Sequence, residues 1–258
     1  HPDTLGIVGR LGAAAQVDGV AHLVQKLVLS LGEIGEHRRL PNEPGLGLGD
    51  HGRLVRAGAA RRTCNVATGM ESMEVGARRP VVQDAVVLAA GGSTRMGTPK
   101  PLLDVEGIPL ILLHVAAFQA VGLRVHVVLG AHADRVASVL PENVSRFVNP
   151  RWLTTGLTES ADLALAGLGP ALVTPVDVPP ALEVDLRRLI AAPGPAVLCV
   201  RGVDGHPVRI EPPQRSGRLD ERLRGAARIE SADVNRTLNL NTPEEWNSFL
   251  NSLKRTGA

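Results

Sequence analysis

Apolar and polar positions alternate along residues 81–258 in a pattern typical of α/β proteins. Short apolar runs predict five strands, which are Ala85–Ala89, Arg124–Leu129, Val144–Val148, Ala171–Val176 and Ala196–Val200. Segments with helical spacing predict five helices, which are Leu110–Val121, Asp134–Leu140, Leu157–Leu168, Leu182–Ala191 and Glu244–Leu253. Thr242 is the predicted N-cap of the last helix, and Pro243 occupies its first turn. This order predicts an α/β fold with a mostly parallel sheet flanked by helices.

The first 80 residues differ from the rest, because they are rich in Gly, Arg and Ala and show little periodicity. Helical spacing occurs only at Val20–Ile34, and the Pro- and Gly-rich residues 41–49 indicate a loop or disorder. We therefore predict an N-terminal extension over residues 1–80 and one folded domain over residues 81–258. Two interpretations of the extension stay open: a segment upstream of a true start at Met70 or Met73, and a regulatory extension.

Composition excludes several classes of protein. Hydrophobic residues make up 44% of the 258 positions, but aromatic residues make up only 2%, so Leu, Val, Ile and Ala must form the core. The 28 basic residues are scattered and the net charge is +2, so we expect no nucleic-acid partner. No apolar run is long enough to span a membrane, and no secretory signal is visible. Cys64 and Cys199 lie far apart, which favours reduced thiols in a cytoplasmic protein.

The most distinctive segment follows the first predicted strand and contains Leu88, Ala89, Ala90, Gly91, Gly92, Ser93, Thr94, Arg95, Met96, Gly97 and, three positions later, Lys100. Glycines allow backbone N–H groups to face an anion, and the arginine and lysine add charge that suits phosphates. The loop therefore predicts a nucleoside triphosphate site. It fits neither the Walker motif nor the dinucleotide fingerprint, because Gly91 and Gly92 are adjacent and no lysine follows Gly97 directly. An ordinary glycine turn is the alternative interpretation of the loop by itself.

The pattern L-A-A-G-x-S-x-R-M-G-x-x-K resembles the signature loop of nucleotidyltransferases that act on molybdenum cofactor, most strongly the cytidylyltransferases. The similarity extends from about Val81 to about Leu253, and later segments match in the family's order. These segments are Asn149-Pro150-Arg151-Trp152, Thr174–Pro179, the Gly205-His206-Pro207 turn and Asn239–Glu245. The resemblance implies a Rossmann-like nucleotidyltransferase fold. It also implies Mg²⁺-dependent transfer of a cytidylyl group from CTP to the phosphate of molybdenum cofactor, with release of pyrophosphate.

The resemblance also assigns roles to residues. Arg95, Lys100 and Asp177 would be catalytic, with Asp177 as a Mg²⁺ ligand aided by Asn241 or Asn239. The nucleotide would contact the loop residues Leu88, Ala89, Ala90, Gly91, Gly92, Ser93, Thr94, Gly97 and Lys100, together with His206. An aspartate before proline is also common in turns and helix caps, and Asn241 could form an Asx turn. His206 could instead shape a turn, and Trp152 could pack on the substrate loop, in the core or at a hinge.

The choice of nucleotide and acceptor stays open at this stage. The cytidylyltransferases usually carry aspartates where this chain has Asn239 and Asn241, whereas the related guanylyltransferases have asparagine. The L-A-A-G form favours CTP over GTP. A molybdenum hydroxylase would receive the product. The alternatives are a transferase acting on a sugar or alditol phosphate and a non-catalytic cofactor carrier. We expect His114, Cys199 and Trp246 to lie in the core.

Overall fold

The computed structural model describes residues 81–211 and 217–256. The N-terminal extension, including the predicted helix at Val20–Ile34, lies outside the described residues. Within them, the strands are β1 (Asp84–Ala89), β2 (Asp104–Val105), β3 (Ile108–Pro109), β4 (Arg124–Leu129), β5 (Ser145–Val148), β6 (Ala171–Pro175), β7 (Ala196–Val200), β8 (Val203–Ile210) and β9 (Ala227–Glu230). The helices are α1 (Leu110–Ala120), α2 (Ala133–Ala137), α3 (Leu157–Leu165), α4 (Glu183–Ala191), α5 (Leu219–Arg222) and α6 (Pro243–Thr256).

The principal sheet has seven strands in the order β5-β4-β1-β6-β8-β7-β9. The strand β1 lies between β4 and β6 and pairs with both in parallel, and β4 pairs with β5 in parallel. The strand β8 runs antiparallel to its neighbours β6 and β7, and β9 runs parallel to β7. Every strand of this sheet except β8 therefore runs in one direction, which confirms the predicted α/β class. The loops after β1, β4 and β6 meet the start of β8 at one edge of the sheet, where ligands of such folds bind.

The five predicted strands are confirmed to within one residue at each end. The helix α1 ends one residue earlier than predicted, and two further helices end three residues earlier. The helix α3 ends at Leu165 rather than Leu168, because Ala166 leaves the helical conformation and Gly167 takes a φ of +84°. The helix α2 ends at Ala137, and residues up to Leu140 continue as turns. The cap prediction is confirmed, since Thr242 Oγ1 accepts a hydrogen bond of 3.3 Å from the backbone N–H of Glu245.

The strand β8 was not predicted, and its presence corrects the interpretation of Gly205-His206-Pro207 as a turn. Glycine and proline normally interrupt strands, so the sequence favoured a turn. In the fold, β6 and β7 lie on either side of β8 and supply its hydrogen-bonding partners. The short elements β2, β3, β9 and α5 were not predicted either, because each is too brief to show a period.

Three clusters of buried side chains hold the fold together. Alternate residues of β1 face opposite sides of the sheet: Val87 packs with the cluster that includes α1 and α4, and Val86 packs with the cluster beneath α3. A third cluster joins Met96 of the glycine loop to Trp246 and Phe249 of α6. The loop is therefore anchored in the core on one side. His114, Cys199 and Trp246 are buried as predicted.

None of the helices that residues 81–211 and 217–256 form is both long and apolar enough to cross a membrane.

Candidate active site

The glycine loop leaves the end of β1 and folds back on itself through Ser93. The backbone N–H of Lys100 donates to Ser93 Oγ at 2.9 Å, and that of Met96 donates to the Ser93 carbonyl at 3.0 Å. Positive φ angles at Ser93 (54°) and Gly97 (72°) allow this tight path. A Cβ atom added at Gly91 would meet nothing within 4 Å, so the space beside this backbone is open. The loop thus has the shape of a cradle in which phosphates can approach the main chain.

The glycine loop packs against Trp152 and Gly130. A Cβ atom at Gly130 would lie 2.3 Å from the carbonyl oxygen of Ala90 and 2.8 Å from Cβ of Trp152, so only glycine fits there. A Cβ atom at Gly92 would lie 3.2 Å from Cζ3 of the indole. The Trp152 side chain therefore packs against the loop and also against the core cluster beneath α3, so two of the alternatives that the sequence left open hold together. Gly130 was not singled out from the sequence, and its position directly after β4 is the only signal that could have indicated it.

The buried amide of Asn149 holds the turn that carries Trp152. Its Nδ2 donates to Thr155 Oγ1 at 2.8 Å and to Ser160 Oγ at 3.0 Å. Its Oδ1 accepts a hydrogen bond of 2.9 Å from the backbone N–H of Arg151. The Asn-Pro-x-Trp segment is therefore a structural support for the loop.

Three predicted site residues from distant parts of the chain meet at one point. Lys100 Nζ donates to Asp177 Oδ2 at 2.9 Å and to Asn241 Oδ1 at 2.7 Å. The lysine side chain is 13% exposed and the aspartate side chain 27% exposed, so the pair lies at the mouth of the site. The backbone N–H of Leu240 donates to the Asp177 carbonyl at 2.6 Å, which joins the segment carrying Asn241 to the end of β6. We call Lys100, Asp177 and Asn241 the cation cluster.

Other predicted site residues lie outside this cluster. Asn239 is exposed, and its side chain does not reach the lysine, although Leu240 next to it is buried. Arg95 and Thr94 are exposed at the tip of the glycine loop. The exposed guanidinium of Arg95 is therefore accessible to an anionic ligand.

The pKa values of two histidines near the cluster are lowered. Burial lowers the pKa of His114 from 6.5 to about 4, so its ring is neutral and donates from Nε2 to the Val178 carbonyl at 3.0 Å. Burial, with a further contribution from the Arg236 guanidinium, also lowers the pKa of His206, whereas the Asp177 carboxylate raises it. Within the described residues, His206 Nδ1 is buried without a hydrogen-bond partner. Neither ring is a charged group at neutral pH.

The cation cluster contains two oxygen atoms that could coordinate a divalent metal. A carboxylate oxygen and an amide oxygen converge on the single position that the lysine ammonium holds. Mg²⁺ prefers oxygen ligands and is typically bound by one or two protein groups together with substrate phosphates and water. Residues 81–211 and 217–256 contain no group of three His, Cys, Asp or Glu side chains that could hold a metal alone. Asp177 and Asn241 could therefore each supply one oxygen ligand to a divalent metal.

A large cavity of about 1210 Å³ lies on the α3 side of the sheet. It is lined by the first turn of α3, the start of β8 and the segment that contains α5, including Gly156, Glu159, His206, Leu219 and Arg224. Ion pairs brace its walls: Arg222 Nη2 donates to Asp162 Oδ2 at 2.8 Å, and Arg228 Nε lies 2.9 Å from Asp204 Oδ1. His206 lines this cavity, and the Asp177 carboxylate acts to raise the pKa of its ring.

Comparison with known proteins identifies the domain. Residues 85–236, more than half of the chain, match the family described as the MobA-like NTP transferase domain. The chain belongs to this family. The bifunctional protein GlmU of Thermotoga petrophila is 38% identical over 111 residues, which cover 41% of this chain and 24% of that protein. The chain thus spans about a quarter of the length of this curated relative.

Solved structures share the fold. A nucleotidyl transferase from Methanothermobacter thermautotroptrophicus superposes with a TM-score of 0.58 at 24% identity, covering 68% of this chain and 99% of that chain. Rv0371c of Mycobacterium tuberculosis H37Rv, in complex with manganese, gives 0.54 at 19% identity, covering 67% and 100%. The CTP:phosphocholine cytidylyltransferase LicC of Streptococcus pneumoniae gives 0.53 at 16% identity, covering 67% and 100%. These likenesses establish a Rossmann-like α/β nucleotidyltransferase fold.

Proposed function

We propose that this protein is a Mg²⁺-dependent nucleotidyltransferase that moves a cytidylyl group from CTP to the phosphate of molybdenum cofactor and releases pyrophosphate. The convergence of Lys100, Asp177 and Asn241 beside an open glycine loop carries the proposal. Membership of the NTP transferase family supports the class of reaction.

The reaction forms one P–O bond and breaks another. An oxygen of the acceptor phosphate attacks the α-phosphorus of CTP in line, and the bond to the β-phosphate breaks, with the electron pair leaving on pyrophosphate. A phosphate monoester is largely ionised at neutral pH, because its second pKa lies near 6, so the nucleophile needs no general base. His206 lines the pocket, so its role would be to contact the acceptor rather than to move a proton.

The chain's own residues would bind and orient the triphosphate. The backbone N–H groups between Gly91 and Gly97 would hold its phosphates, and the exposed Arg95 guanidinium would pair with the oxygens that become the leaving group. Asp177 and Asn241 would hold Mg²⁺, which supplies positive charge against the charge developing on the α-phosphate. Asn241 is the better second ligand, because its oxygen reaches the cluster while Asn239 is exposed outside it.

Lys100 would occupy two positions during the reaction. Its ammonium lies between the same two oxygens that the metal requires, and two cations cannot share that position. When the metal and the nucleotide bind together, Lys100 would leave Asp177 and pair with the triphosphate. The resting ion pair therefore keeps the carboxylate compensated until the substrate arrives.

The identities of the base and of the acceptor rest on separate observations. The L-A-A-G form of the loop favours CTP, whereas the asparagine pair at positions 239 and 241 favours GTP. A second candidate is transfer to another phosphorylated acceptor, such as a sugar or alditol phosphate. The LicC likeness favours this candidate, because that enzyme of the same fold is a CTP:phosphocholine cytidylyltransferase. The cavity beside His206 is large enough for either kind of acceptor.

Pyrophosphate release tests the proposal. The full chain would be incubated with Mg²⁺ and CTP, GTP, ATP or UTP separately, with and without molybdenum cofactor or sugar and alditol phosphates. We expect release with CTP that depends on molybdenum cofactor. Preference for GTP would move the assignment to guanylyl transfer, and release only with a sugar or alditol phosphate would replace the acceptor. No release under any condition, together with cofactor binding, would favour a carrier that delivers its ligand to a molybdenum hydroxylase.

A further inference from the structure

Arg236 is the largest fully buried side chain in the described part of the chain, and the proposed chemistry does not use it. A buried guanidinium destabilises a protein unless it is paired with an acidic group and hydrogen-bonded. Here each nitrogen has a partner: Nε donates to Asp233 Oδ2 at 2.7 Å, Nη1 to the Pro179 carbonyl at 3.0 Å and Nη2 to the Pro180 carbonyl at 2.8 Å. The side chain is therefore fixed at three points by a planar fork.

The two carbonyls that Arg236 binds belong to the loop that carries Asp177. Pro179 and Pro180 are buried, so their carbonyls need donors from elsewhere in the chain. The same loop is held at Val178 by His114 and at the Asp177 carbonyl by the backbone N–H of Leu240. In the described part of the chain, Arg236 supplies two of the four hydrogen bonds that the main-chain carbonyls of residues 177–180 accept.

The backbone of Arg236 contacts two further parts of the site. A Cβ atom at Gly205 would lie 2.3 Å from the Arg236 carbonyl oxygen, so the start of β8 packs directly on it. The chain then runs through Leu238 to Leu240 and Asn241, the second member of the cation cluster. Arg236 thus joins the loop of Asp177, the strand of His206 and the segment of Asn241.

We propose that Arg236 is a positioning residue that holds the Asp177 carboxylate and the Asn241 amide at the spacing a divalent cation needs. It contacts neither the cation nor the nucleotide. This inference rests on the metal site of the proposed function. Loss of the guanidinium would free two buried carbonyls, allow the Asp177 loop to shift and lower the affinity of the site for metal.

Arg209 provides a matched control, since it is also a buried, ion-paired arginine that binds main-chain carbonyls. It pairs with Glu211 and donates to the Ile190 carbonyl at 2.8 Å and to the Ala192 carbonyl, at the end of α4. None of these partners belongs to the cation cluster. Loss of either arginine would destabilise the fold, but only Arg236 holds the Asp177 loop.

The test compares Arg236→Met, Arg236→Lys, Arg209→Met and Arg209→Lys in the full chain. Binding of Mn²⁺ alone would be measured from the electron paramagnetic resonance signal of the free ion, beside thermal unfolding and the Mg²⁺ dependence of pyrophosphate release. We expect Arg236→Met to weaken Mn²⁺ binding at least tenfold and to raise the Mg²⁺ concentration for half-maximal rate. Arg236→Lys keeps the charge but not the planar fork, so it should fold and weaken binding less. Both Arg209 variants should unfold at lower temperature and keep wild-type Mn²⁺ affinity.

Two results would overturn the inference in distinguishable ways. Wild-type Mn²⁺ affinity in both Arg236 variants, in a protein that still releases pyrophosphate, would remove the positioning role and leave the proposed function intact. Equal losses of Mn²⁺ affinity in the Arg236 and Arg209 variants would have the same meaning, because they would reflect stability alone. A wild-type protein that binds no Mn²⁺ alone and whose pyrophosphate release does not depend on Mg²⁺ would remove the metal site itself and the positioning role with it.

Discussion

Replacement of Lys100 by methionine tests the idea that the ammonium holds the place of the metal. In the structure, Nζ lies 2.9 Å from Asp177 Oδ2, where the gross Coulomb attraction is about 6 kcal/mol at an effective dielectric constant near 20. Desolvation offsets most of this attraction, so the net value of such a charge-assisted hydrogen bond is about 1.5–3 kcal/mol. Because the metal must displace this interaction, its removal should tighten Mn²⁺ binding by about 10- to 100-fold.

The same substitution should slow turnover. A cation that stabilises charge developing on a triphosphate is worth about 10²–10³ in kcat, by analogy with the removal of one oxyanion donor. Lys100→Met should therefore bind Mn²⁺ more tightly and release pyrophosphate much more slowly. Electron paramagnetic resonance of free Mn²⁺ would report the first effect, and a coupled pyrophosphate assay the second.

Arg95→Met is the matched control for this experiment. Arg95 lies in the same loop but is exposed and takes no part in the cation cluster. We expect its loss to slow turnover and to leave Mn²⁺ binding by the nucleotide-free protein unchanged. If Lys100→Met bound Mn²⁺ with unchanged or weaker affinity, the ammonium would not occupy the metal position and the two-position role of Lys100 would be refuted.

Three further predictions follow from the geometry. Asp177→Ala should abolish pyrophosphate release while leaving thermal unfolding within a few degrees of wild type; substantial remaining turnover would contradict the metal assignment. Gly130→Ala places a Cβ 2.3 Å from the Ala90 carbonyl oxygen, so we expect the free energy of unfolding in urea to fall by at least about 2 kcal/mol and the KM for nucleotide to rise. Gly169→Ala is the control, because a Cβ there meets no atom within 4 Å and should leave both quantities unchanged. The pKa of His114 is lowered to about 4 from 6.5, so between these values the unfolded state binds more protons and stability falls as pH falls. The free energy of unfolding should fall by a total of about 3 kcal/mol by the time the pH is below 4. In His114→Gln, the difference in the free energy of unfolding between pH 7 and pH 5 should be smaller than in wild type, and an unchanged difference would exclude this histidine as the cause.

The architecture could be predicted from the sequence because the strands near the middle of the sheet are buried on both faces. The strand β1 is buried along its whole length, and its residues 85–89 form an uninterrupted apolar run that is visible without any tertiary information. The strand β8 could not be found in this way. Its Gly205 and Pro207 indicate a turn locally, and only the pairing with β6 and β7 makes the segment extended.

In the candidate site too, one part could be predicted from the sequence and another could not. The glycine loop is a local motif, because the backbone that would hold phosphates and the charges that would pair with them are consecutive in the chain. The partner of Lys100 is not local, since Asp177 and Asn241 lie 77 and 141 positions away. The sequence left Asn239 and Asn241 as equal candidates, and in the structure Asn241 accepts a hydrogen bond from the lysine while Asn239 is exposed.

By itself, the sequence determined five strands of the principal sheet, five helices and the position of the glycine loop, because each depends on neighbouring residues or on a repeating apolar period. Only the tertiary structure shows that oxygens of Asp177 and Asn241 contact the same ammonium, that Gly130 lies too close to Ala90 for any side chain, and that Arg236 is buried. An arginine in a sequence indicates a solvent-exposed charge, and only the packing of Asp233 and the Pro179-Pro180 segment around the Arg236 guanidinium supplies the acceptors that make its burial stable.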